Sequence, residues 1–210
     1  MKENKLPKIL LIYTGGTIGM VRDEVSGGLR PFDFDNILAN LPEARSIHCS
    51  LDTYAFDHLL DSSNISPANW VEIASVVRDR YEAYDGFVVL HGTDTMAYTT
   101  SALSFMLSGL SKPVIFTGSQ LPIGHLRTDA KENLITSIEL ASLTGEDGQP
   151  VVREVCLYFQ HELYRGNRCT KINAEQFSAF ASPNYPPLAH SGVHLTVDKD
   201  LLLPRSYASF

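Results

Sequence analysis

The chain has 210 residues, of which 44% are hydrophobic and 20% charged, a composition typical of a soluble globular protein with one or two domains and a buried core. Its formal net charge of −7 argues against nucleic acid or an anionic membrane as partners, because both are bound mainly through Lys and Arg clusters. Three scattered cysteines give no disulfide framework, and the apolar run near the N-terminus is too short for a signal peptide or a membrane span, so we expect a cytoplasmic protein.

The first predicted element is an apolar run at 9–13 that stops at two glycines flanked by threonines, Thr14, Gly15, Gly16 and Thr17. Such a run predicts a buried strand of a parallel sheet, and ligands of open α/β sheets bind just past the carboxyl ends of strands. An ordinary strand-to-loop turn is equally consistent with this stretch. The glycine spacing matches neither a phosphate-binding loop nor a dinucleotide fingerprint.

Irregular segments follow this strand. A polar, glycine-bearing stretch at 21–30 is either a lid over a site or a plain surface loop. A short helix is expected to end at Leu41, before Pro42. Residues 46–56 predict an irregular second strand, and the turn-forming residues 61–64 follow it.

From residue 66 to residue 159, helical and buried-strand patterns alternate. This order predicts right-handed crossovers and a three-layer α/β fold, with a mostly parallel, Rossmann-like sheet flanked by helices. One of these helices has small and apolar residues on all sides, which predicts burial all round. The predicted elements are a helix opened by Ser66 and Pro67, a strand at 87–90, the all-round apolar helix at 95–107, a strand at 113–117, a helix at 129–143 and a strand at 155–159.

The pattern changes after residue 159. Residues 161–171 have no helical period, and the proline-rich stretch 183–187 is extended. A hairpin with strands at 193–197 and 201–203 is expected next.

Four polar loops follow predicted strands and are expected on one rim of the sheet, where together they indicate a pocket for a small ligand. No Gly-x-Ser-x-Gly elbow is present, and no His-Glu-x-x-His or similar cluster, so we predict no catalytic metal. His91 is the only histidine beside these loops, and a structural hydrogen bond at a strand end is its expected role. The loops are residues 14–19, 61–64, 91–95 and 118–120.

The remaining candidates are hydroxyls, one carboxylate and one lysine. A lysine can accept a hydroxyl proton if its surroundings lower its pKa, and Asp94 can orient such a lysine or hold a substrate ammonium group. The alternative is that Thr93 and Asp94 cap the next helix and that Lys171 is a solvated surface lysine. The candidates are Thr14, Thr17, Ser62, Ser63, Thr93, Asp94 and Lys171.

The motif Thr-Gly-Gly-Thr-Ile-Gly at 14–19, followed by His-Gly-Thr-Asp-Thr-Met at 91–96, resembles the bacterial-type L-asparaginases of the asparaginase/glutaminase family. The resemblance continues through Gly-Ser-Gln-Leu-Pro at 118–122 and Tyr-Arg-Gly-Asn-Arg at 164–168, and it covers roughly residues 9–192. The chain is most similar to the type I cytoplasmic branch of that family.

This resemblance implies hydrolysis of the side-chain amide of L-asparagine to L-aspartate and ammonia, without a cofactor. Thr17 would be the nucleophile that forms an acyl-enzyme, and Thr93, Asp94 and Lys171 would relay protons. Ser62 and Asp94 would hold the α-carboxylate and α-ammonium groups, and the Ser119 carbonyl would receive the leaving nitrogen. Backbone N–H groups near Gly16 and Thr93 would form the oxyanion hole. The implied substrate-binding set is Thr14, Gly16, Ser62, Ser63, Thr93, Asp94 and Ser119.

The sequence departs from the family pattern in two places. Leu29 stands where a loop tyrosine is expected. The family also has a C-terminal domain that completes the active site of a neighbouring subunit in a dimer or tetramer, and no such domain is expected here. We therefore predict an N-terminal catalytic domain at 1–190 followed by a hairpin or linker at 191–210.

Two alternatives remain open. A truncated, non-catalytic fragment would at most bind aspartate or asparagine, or pair with a homologue. The asparaginase-like subunit of a tRNA-dependent amidotransferase is disfavoured, because such subunits carry an extra domain before the Thr-Gly-Gly-Thr motif and only thirteen residues precede Thr14.

Overall fold

The structure is a computed structural model that describes residues 6–22, 29–31 and 41–205. The helix expected before Pro42 lies outside these residues, as does the middle of the stretch at 21–30. The two ends of that stretch pair as antiparallel strands, Met20–Arg22 with Leu29–Pro31. Within the described part of the chain, no helix is long and apolar enough to cross a membrane.

Strands and helices alternate along the chain as the sequence predicts. The strands are β1 Lys8–Gly15, β2 Met20–Arg22, β3 Leu29–Pro31, β4 Ser50–Leu60, β5 Gly86–Leu90, β6 Val114–Thr117, β7 Val155–Phe159, β8 Glu162–Arg165, β9 Thr170–Lys171, β10 Phe180–Ala181, β11 Ala189–Ser191 and β12 Leu195–Val197. The α-helices are α1 Pro67–Arg80, α2 Met96–Met106 and α3 Ala130–Ser142.

Eight of these strands form one sheet in the order β12-β11-β8-β7-β6-β5-β1-β4. The five strands from β7 to β4 are parallel, whereas β8, β11 and β12 extend the sheet in antiparallel pairs. The mostly parallel α/β architecture predicted from the sequence is therefore confirmed.

The two faces of the sheet are covered by different helices, which explains why the strand sequences are apolar without a break. Side chains alternate along β1, so that Ile9 and Leu11 pack in the cluster that contains α3, while Leu10 and Ile12 pack in the cluster of α1 and α2. The indole N–H of Trp70 in α1 joins this helix to α2 by donating to the Thr99 hydroxyl at 3.2 Å.

The expectation that the helix at 95–107 is buried all round is wrong. Tyr98 and Phe105 of α2 are 69% and 71% exposed. Because α2 covers the sheet from outside, only the side that carries Leu103 and the polar pair Thr99 and Thr100 is buried. Overall composition could not distinguish these two sides.

The expected hairpin is also placed wrongly. Ala189–Ser191 pairs with Leu195–Val197, and residues 199–201 form a 3₁₀ turn instead of a strand. β11 also pairs with β8, so the hairpin extends the main sheet. The predicted domain boundary at residue 190 falls inside β11.

A buried ion pair fastens residues 201–203 to the sheet. Arg165 Nε lies 2.6 Å from Glu154 Oε2, with side chains 13% and 3% exposed. Glu154 Oε1 accepts the Leu203 N–H at 2.8 Å, and Arg165 Nη2 donates to the Leu201 carbonyl at 2.7 Å. The Tyr185 ring lies under the guanidinium, 4.5 Å from its carbon atom.

Candidate active site

The loops after β1, β4 and β5 contact one another at the carboxyl edge of the parallel sheet. Gly16 has a φ of 92°, and a Cβ atom there would lie 2.6 Å from the Gly92 nitrogen. A Cβ atom on Gly92 would in turn lie 2.4 Å from Ser62 Oγ. Two glycines are therefore required for the three loops to meet, which gives the Gly-Gly turn and the His-Gly-Thr motif a common structural purpose.

The two threonines of the first loop have different surroundings. The Thr14 hydroxyl is buried and donates to the Leu90 carbonyl at 2.9 Å, so it joins β1 to β5. Thr17 is half-buried and begins a 3₁₀ turn that ends at Gly19. Its hydroxyl has no hydrogen-bond partner among the described residues. Thr17 is thus the threonine whose hydroxyl is available for chemistry, and no contact supports the predicted substrate-binding role of the Thr14 side chain.

Thr93, Asp94 and Lys171 come together at this edge, although Lys171 is far from the other two in sequence. Lys171 Nζ donates to Thr93 Oγ1 at 2.9 Å and to Asp94 Oδ1 at 2.8 Å. Its side chain is 16% exposed, against 60% for Asp94. Because α2 begins at Met96, with Thr95 as its N-cap residue, Thr93 and Asp94 precede the helix and bond the lysine. Lys171 is therefore not the solvated surface lysine of the alternative reading.

Lys171 reaches the site on a short ribbon formed by β9 and β10, in which it pairs with Phe180. The Phe180 ring packs edge-to-face on Phe159, with centroids 5.0 Å apart, and its carbonyl accepts the Tyr164 hydroxyl at 3.2 Å. The buried side of the ribbon thus fixes where the lysine emerges.

Ser62 lies between the β4 loop and the β5 loop. Its hydroxyl approaches Asp94 Oδ2 at 3.4 Å, and its carbonyl accepts the Thr95 hydroxyl at 2.6 Å. Ser62 is buried, whereas the neighbouring Ser63 is exposed and donates its N–H to Asp61. Ser62 and Asp94 thus present adjacent oxygens at the edge of the sheet.

Gln120 is a site residue that the sequence analysis did not single out. Its Oε1 accepts the Thr93 hydroxyl at 3.2 Å, and its Nε2 donates to the carbonyls of Ala174 and Gln176 at 3.1 Å and 3.0 Å. The amide therefore joins Thr93 to the turn that follows Lys171. The sequence predicts a polar loop at 118–120, which contains Gln120, but no local pattern identifies Gln120 as the hydrogen-bond partner of Thr93.

The backbone of the Gln120 loop is held by a partly buried carboxylate. Asp129 accepts the N–H groups of Gln120 and Leu121 at 2.9–3.1 Å. Burial raises the pKa of Asp129, and these hydrogen bonds act in the opposite direction. The buried Ser119 hydroxyl donates to the Leu121 carbonyl at 2.6 Å. No backbone N–H among the described residues donates to the Ser119 carbonyl.

His91 makes the structural hydrogen bond expected at the end of β5. Its ring is fully buried, Nδ1 lies 2.7 Å from the Gly92 carbonyl, and burial lowers its pKa to about 4. Among the described residues there is no cluster of three or more His, Cys, Asp or Glu side chains placed to hold a metal ion. Leu29 begins β3, and residues 23–28 of the stretch at 21–30, predicted to be either a lid or a surface loop, lie outside the residues described.

Comparison with known proteins finds relatives over almost the whole chain. L-asparaginase 1 of Escherichia coli (strain K12) is 48% identical over 193 residues, which are 89% of this chain and 54% of that protein. The 60 kDa lysophospholipase of Homo sapiens is 42% identical over 217 residues, covering 93% of this chain and 37% of that one. The crystal structure of L-asparaginase I from Vibrio cholerae superposes with a TM-score of 0.86 at 41% identity, covering 97% of this chain and 60% of its own.

The chain spans about half the length, or less, of the curated relatives that it matches. The family model described as "Asparaginase, N-terminal" matches residues 8–202. Because this match takes in the whole sheet and every residue of the site described above, the chain belongs to the asparaginase family.

Proposed function

We propose that this chain provides the N-terminal catalytic domain of an L-asparaginase, which hydrolyses the side-chain amide of L-asparagine to L-aspartate and ammonia. The observation that carries the proposal is the position of Lys171 Nζ, within 2.9 Å of both Thr93 Oγ1 and Asp94 Oδ1. A largely buried lysine that is hydrogen-bonded to a hydroxyl is better placed to transfer protons than to interact with solvent at the surface. The domain would extend past the predicted boundary at residue 190, because β11 and β12 continue its sheet.

In the proposed reaction the Thr17 hydroxyl attacks the carboxamide carbon of asparagine. The carbonyl oxygen becomes an oxyanion, and the tetrahedral intermediate collapses with loss of ammonia to leave an ester on Thr17. A water molecule then attacks this ester, which releases aspartate and restores the hydroxyl. Thr17 is the proposed nucleophile because it is half-buried at the edge of the sheet and its hydroxyl is free to react. The Thr14 hydroxyl is instead buried in the sheet, where it donates to the Leu90 carbonyl.

Thr93 would carry protons between the reacting atoms and Lys171. Its hydroxyl accepts from Lys171 Nζ and donates to Gln120 Oε1, so its orientation is set from both sides. The proton that leaves the nucleophile would pass to the Lys171 amine, which would then return a proton to the departing nitrogen. Asp94 holds the lysine against Thr93 throughout.

Asp94 and Ser62 would bind the backbone groups of the substrate. The Asp94 carboxylate is 60% exposed, so it remains open to a substrate ammonium group while it holds Lys171. The Ser62 hydroxyl, 3.4 Å from Asp94, is placed to donate to the α-carboxylate. Ser63, the Ser119 carbonyl and backbone N–H groups near Gly16 would complete the contacts.

The test is ammonia release from L-asparagine by the purified chain and by its Thr17→Ala variant. The matched control is Thr196→Ala, which removes an exposed hydroxyl in β12. Activity in the wild type and the control, with loss in Thr17→Ala, supports the proposal. Equal ammonia release by all three proteins would show that Thr17 is not the nucleophile.

A second candidate function is binding without turnover. It is favoured by one observation, that the exposed Asp94 carboxylate and the adjacent Ser62 hydroxyl can hold the charged groups of an amino acid without any reaction. Such a chain would bind L-aspartate or L-asparagine, or pair with a homologue, and release no ammonia. Calorimetry with L-aspartate distinguishes the candidates, because a binding isotherm without ammonia release supports this one.

We also propose that the protein acts in the cytoplasm as a homo-oligomer, a dimer or a tetramer. Both statements rest on the resemblance to the type I branch. Light scattering after size-exclusion chromatography measures the oligomeric state, and a monomer at all concentrations would contradict the second statement.

A further inference from the structure

His91 places an imidazole completely inside the protein, directly behind the loop that contains Thr93. The ring packs edge-to-face on Phe116, with centroids 6.0 Å apart. The backbone N–H of His91 donates to the Thr117 carbonyl at 2.9 Å, so the residue is fixed to β6 as well as to β5. An apolar side chain would fill such a position without the cost of burying two nitrogens.

The contacts of the ring determine which nitrogen carries the hydrogen. The partner of Nδ1, 2.7 Å away, is the Gly92 carbonyl oxygen, which can only accept a hydrogen bond. Nδ1 is therefore the donor. Nε2 is buried and has no partner among the described residues, as suits the unprotonated nitrogen of a neutral ring. Burial also keeps the ring neutral near pH 7.

The hydrogen bond to Gly92 fixes the peptide group that leads into Thr93. A trans peptide is planar, and its C=O and N–H point in opposite directions. When the Gly92 carbonyl is held toward the core by His91, the Thr93 N–H points away from the core. This N–H has no acceptor among the described residues. Gly16 packs against the same loop, so the Thr17 turn lies beside it.

We propose that His91, as its Nδ1–H tautomer, is a positioning residue that holds the Gly92–Thr93 peptide with its N–H directed at the oxyanion that forms on the substrate when Thr17 attacks its carboxamide. This inference rests on the proposed function for its catalytic consequence. His91 itself touches neither the substrate nor the reacting atoms. It acts through one backbone hydrogen bond, and its contribution is to keep an oxyanion donor oriented before the reaction begins.

Two variants separate the roles of the two nitrogens. Asparagine places its amide nitrogen near the position of Nδ1, whereas glutamine places it near that of Nε2. We expect His91→Asn to keep kcat within about threefold of wild type, and His91→Gln to lower kcat about 10²-fold with KM nearly unchanged. Equal losses in both variants, or a change in KM alone, would overturn the positioning role.

NMR of the wild type and the two variants tests the inference without measuring activity. At pH 7, uniformly nitrogen-15-labelled wild type should show His91 protonated at Nδ1 and not at Nε2. The Thr93 amide resonance should shift in His91→Gln but not in His91→Asn. An Nε2–H tautomer would refute the inference even if asparagine is hydrolysed. If the expected tautomer and shifts are observed but the wild type releases no ammonia, the inference about His91 stands and the proposed function is wrong.

Discussion

Gly16 lies directly against the backbone of Gly92, so the turn that carries Thr17 and the turn that carries Thr93 share one contact. There is no space for a methyl group between them, because a Cβ atom on Gly16 would be 2.6 Å from the Gly92 nitrogen and 2.9 Å from the His91 carbonyl carbon. The relative position of the two threonines is therefore set by backbone packing.

Gly16→Ala should disturb both stability and activity. The alanine would have a φ near 92° and a contact with backbone atoms, which together cost on the order of 2 kcal/mol or more of unfolding free energy. We also expect ammonia release to fall at least about 10²-fold, since the turn that carries Thr17, the proposed nucleophile, must shift. Urea unfolding and an ammonia assay measure these effects. Gly124→Ala, where a Cβ atom meets nothing within 4 Å, is the control and should change neither.

Lys171→Met should abolish the proposed proton relay while the fold remains. We expect kcat to fall by about 10³-fold, in the range of a lost general acid–base group, with the circular dichroism spectrum unchanged. Lys199→Met removes an exposed lysine and should leave kcat at the wild-type value. Comparable losses in both variants would mean that Lys171 has no special role.

Gln120→Glu should misplace the lysine ribbon. A carboxylate cannot donate to the carbonyls of Ala174 and Gln176, so the turn after Lys171 loses its two bonds to the site. We expect kcat to fall by about 10²-fold, because a shift of about 1 Å is enough for such a loss. Gln149→Glu, in the loop after α3, makes the same charge change and should leave steady-state kinetics unaffected.

Acidification should destabilise the protein through His91. The folded-state pKa of His91 is lowered from 6.5 to about 4, so between these values the unfolded chain binds more protons than the folded one. The contribution of His91 to the free energy of unfolding is therefore fully present above pH 6.5. It is lost as the pH falls toward 4, by about 3 kcal/mol in total.

Urea unfolding of wild type and His91→Gln between pH 7 and pH 4 isolates this effect. The raised pKa of Asp129 acts in the opposite direction, since a folded-state carboxyl that protonates more readily gains stability in acid, and it is common to both proteins. The difference in unfolding free energy between the two proteins should shrink as the pH falls. A constant difference would show that His91 titrates alike in both states.

Arg165→Met should be strongly destabilising, because it leaves the Glu154 carboxylate buried without its counter-charge. The expected loss is about 3–5 kcal/mol of unfolding free energy, measured by urea titration. The control is Arg78→Met, which breaks an ion pair with Asp79 whose side chains are 66% and 57% exposed. That change should cost less than about 1 kcal/mol.

The parallel part of the sheet was predictable because its strands are buried on both faces. β1, β5, β6 and β7 read as continuous apolar runs, and each ends in polar or glycine residues that mark the carboxyl edge. The strands of the antiparallel extension are only three or four residues long, too short for a period to be recognised. Their pairing depends on contacts between distant segments.

The site was predictable only in part, for a similar reason. Parallel strands of one sheet end at the same edge, so the sequence predicts that the loops following them meet there; these loops carry Thr17, Ser62 and Thr93. Lys171 lies 78 residues after Thr93, and its polar surroundings in the sequence suit a surface lysine equally well. Its position depends on a ribbon of two-residue strands and on Gln120, neither of which has a local signature.

Trp70, the single tryptophan of the chain, gives the molecule an optical reporter that is independent of its activity. Its fluorescence reports the packing of α1 on α2 through the bond to Thr99, whereas the proposed ammonia release would depend on the ribbon that carries Lys171. The ribbon is held by few backbone bonds, and such segments open locally at lower free energy than a central sheet. In rising urea the chain should therefore become inactive while its tryptophan emission is still native.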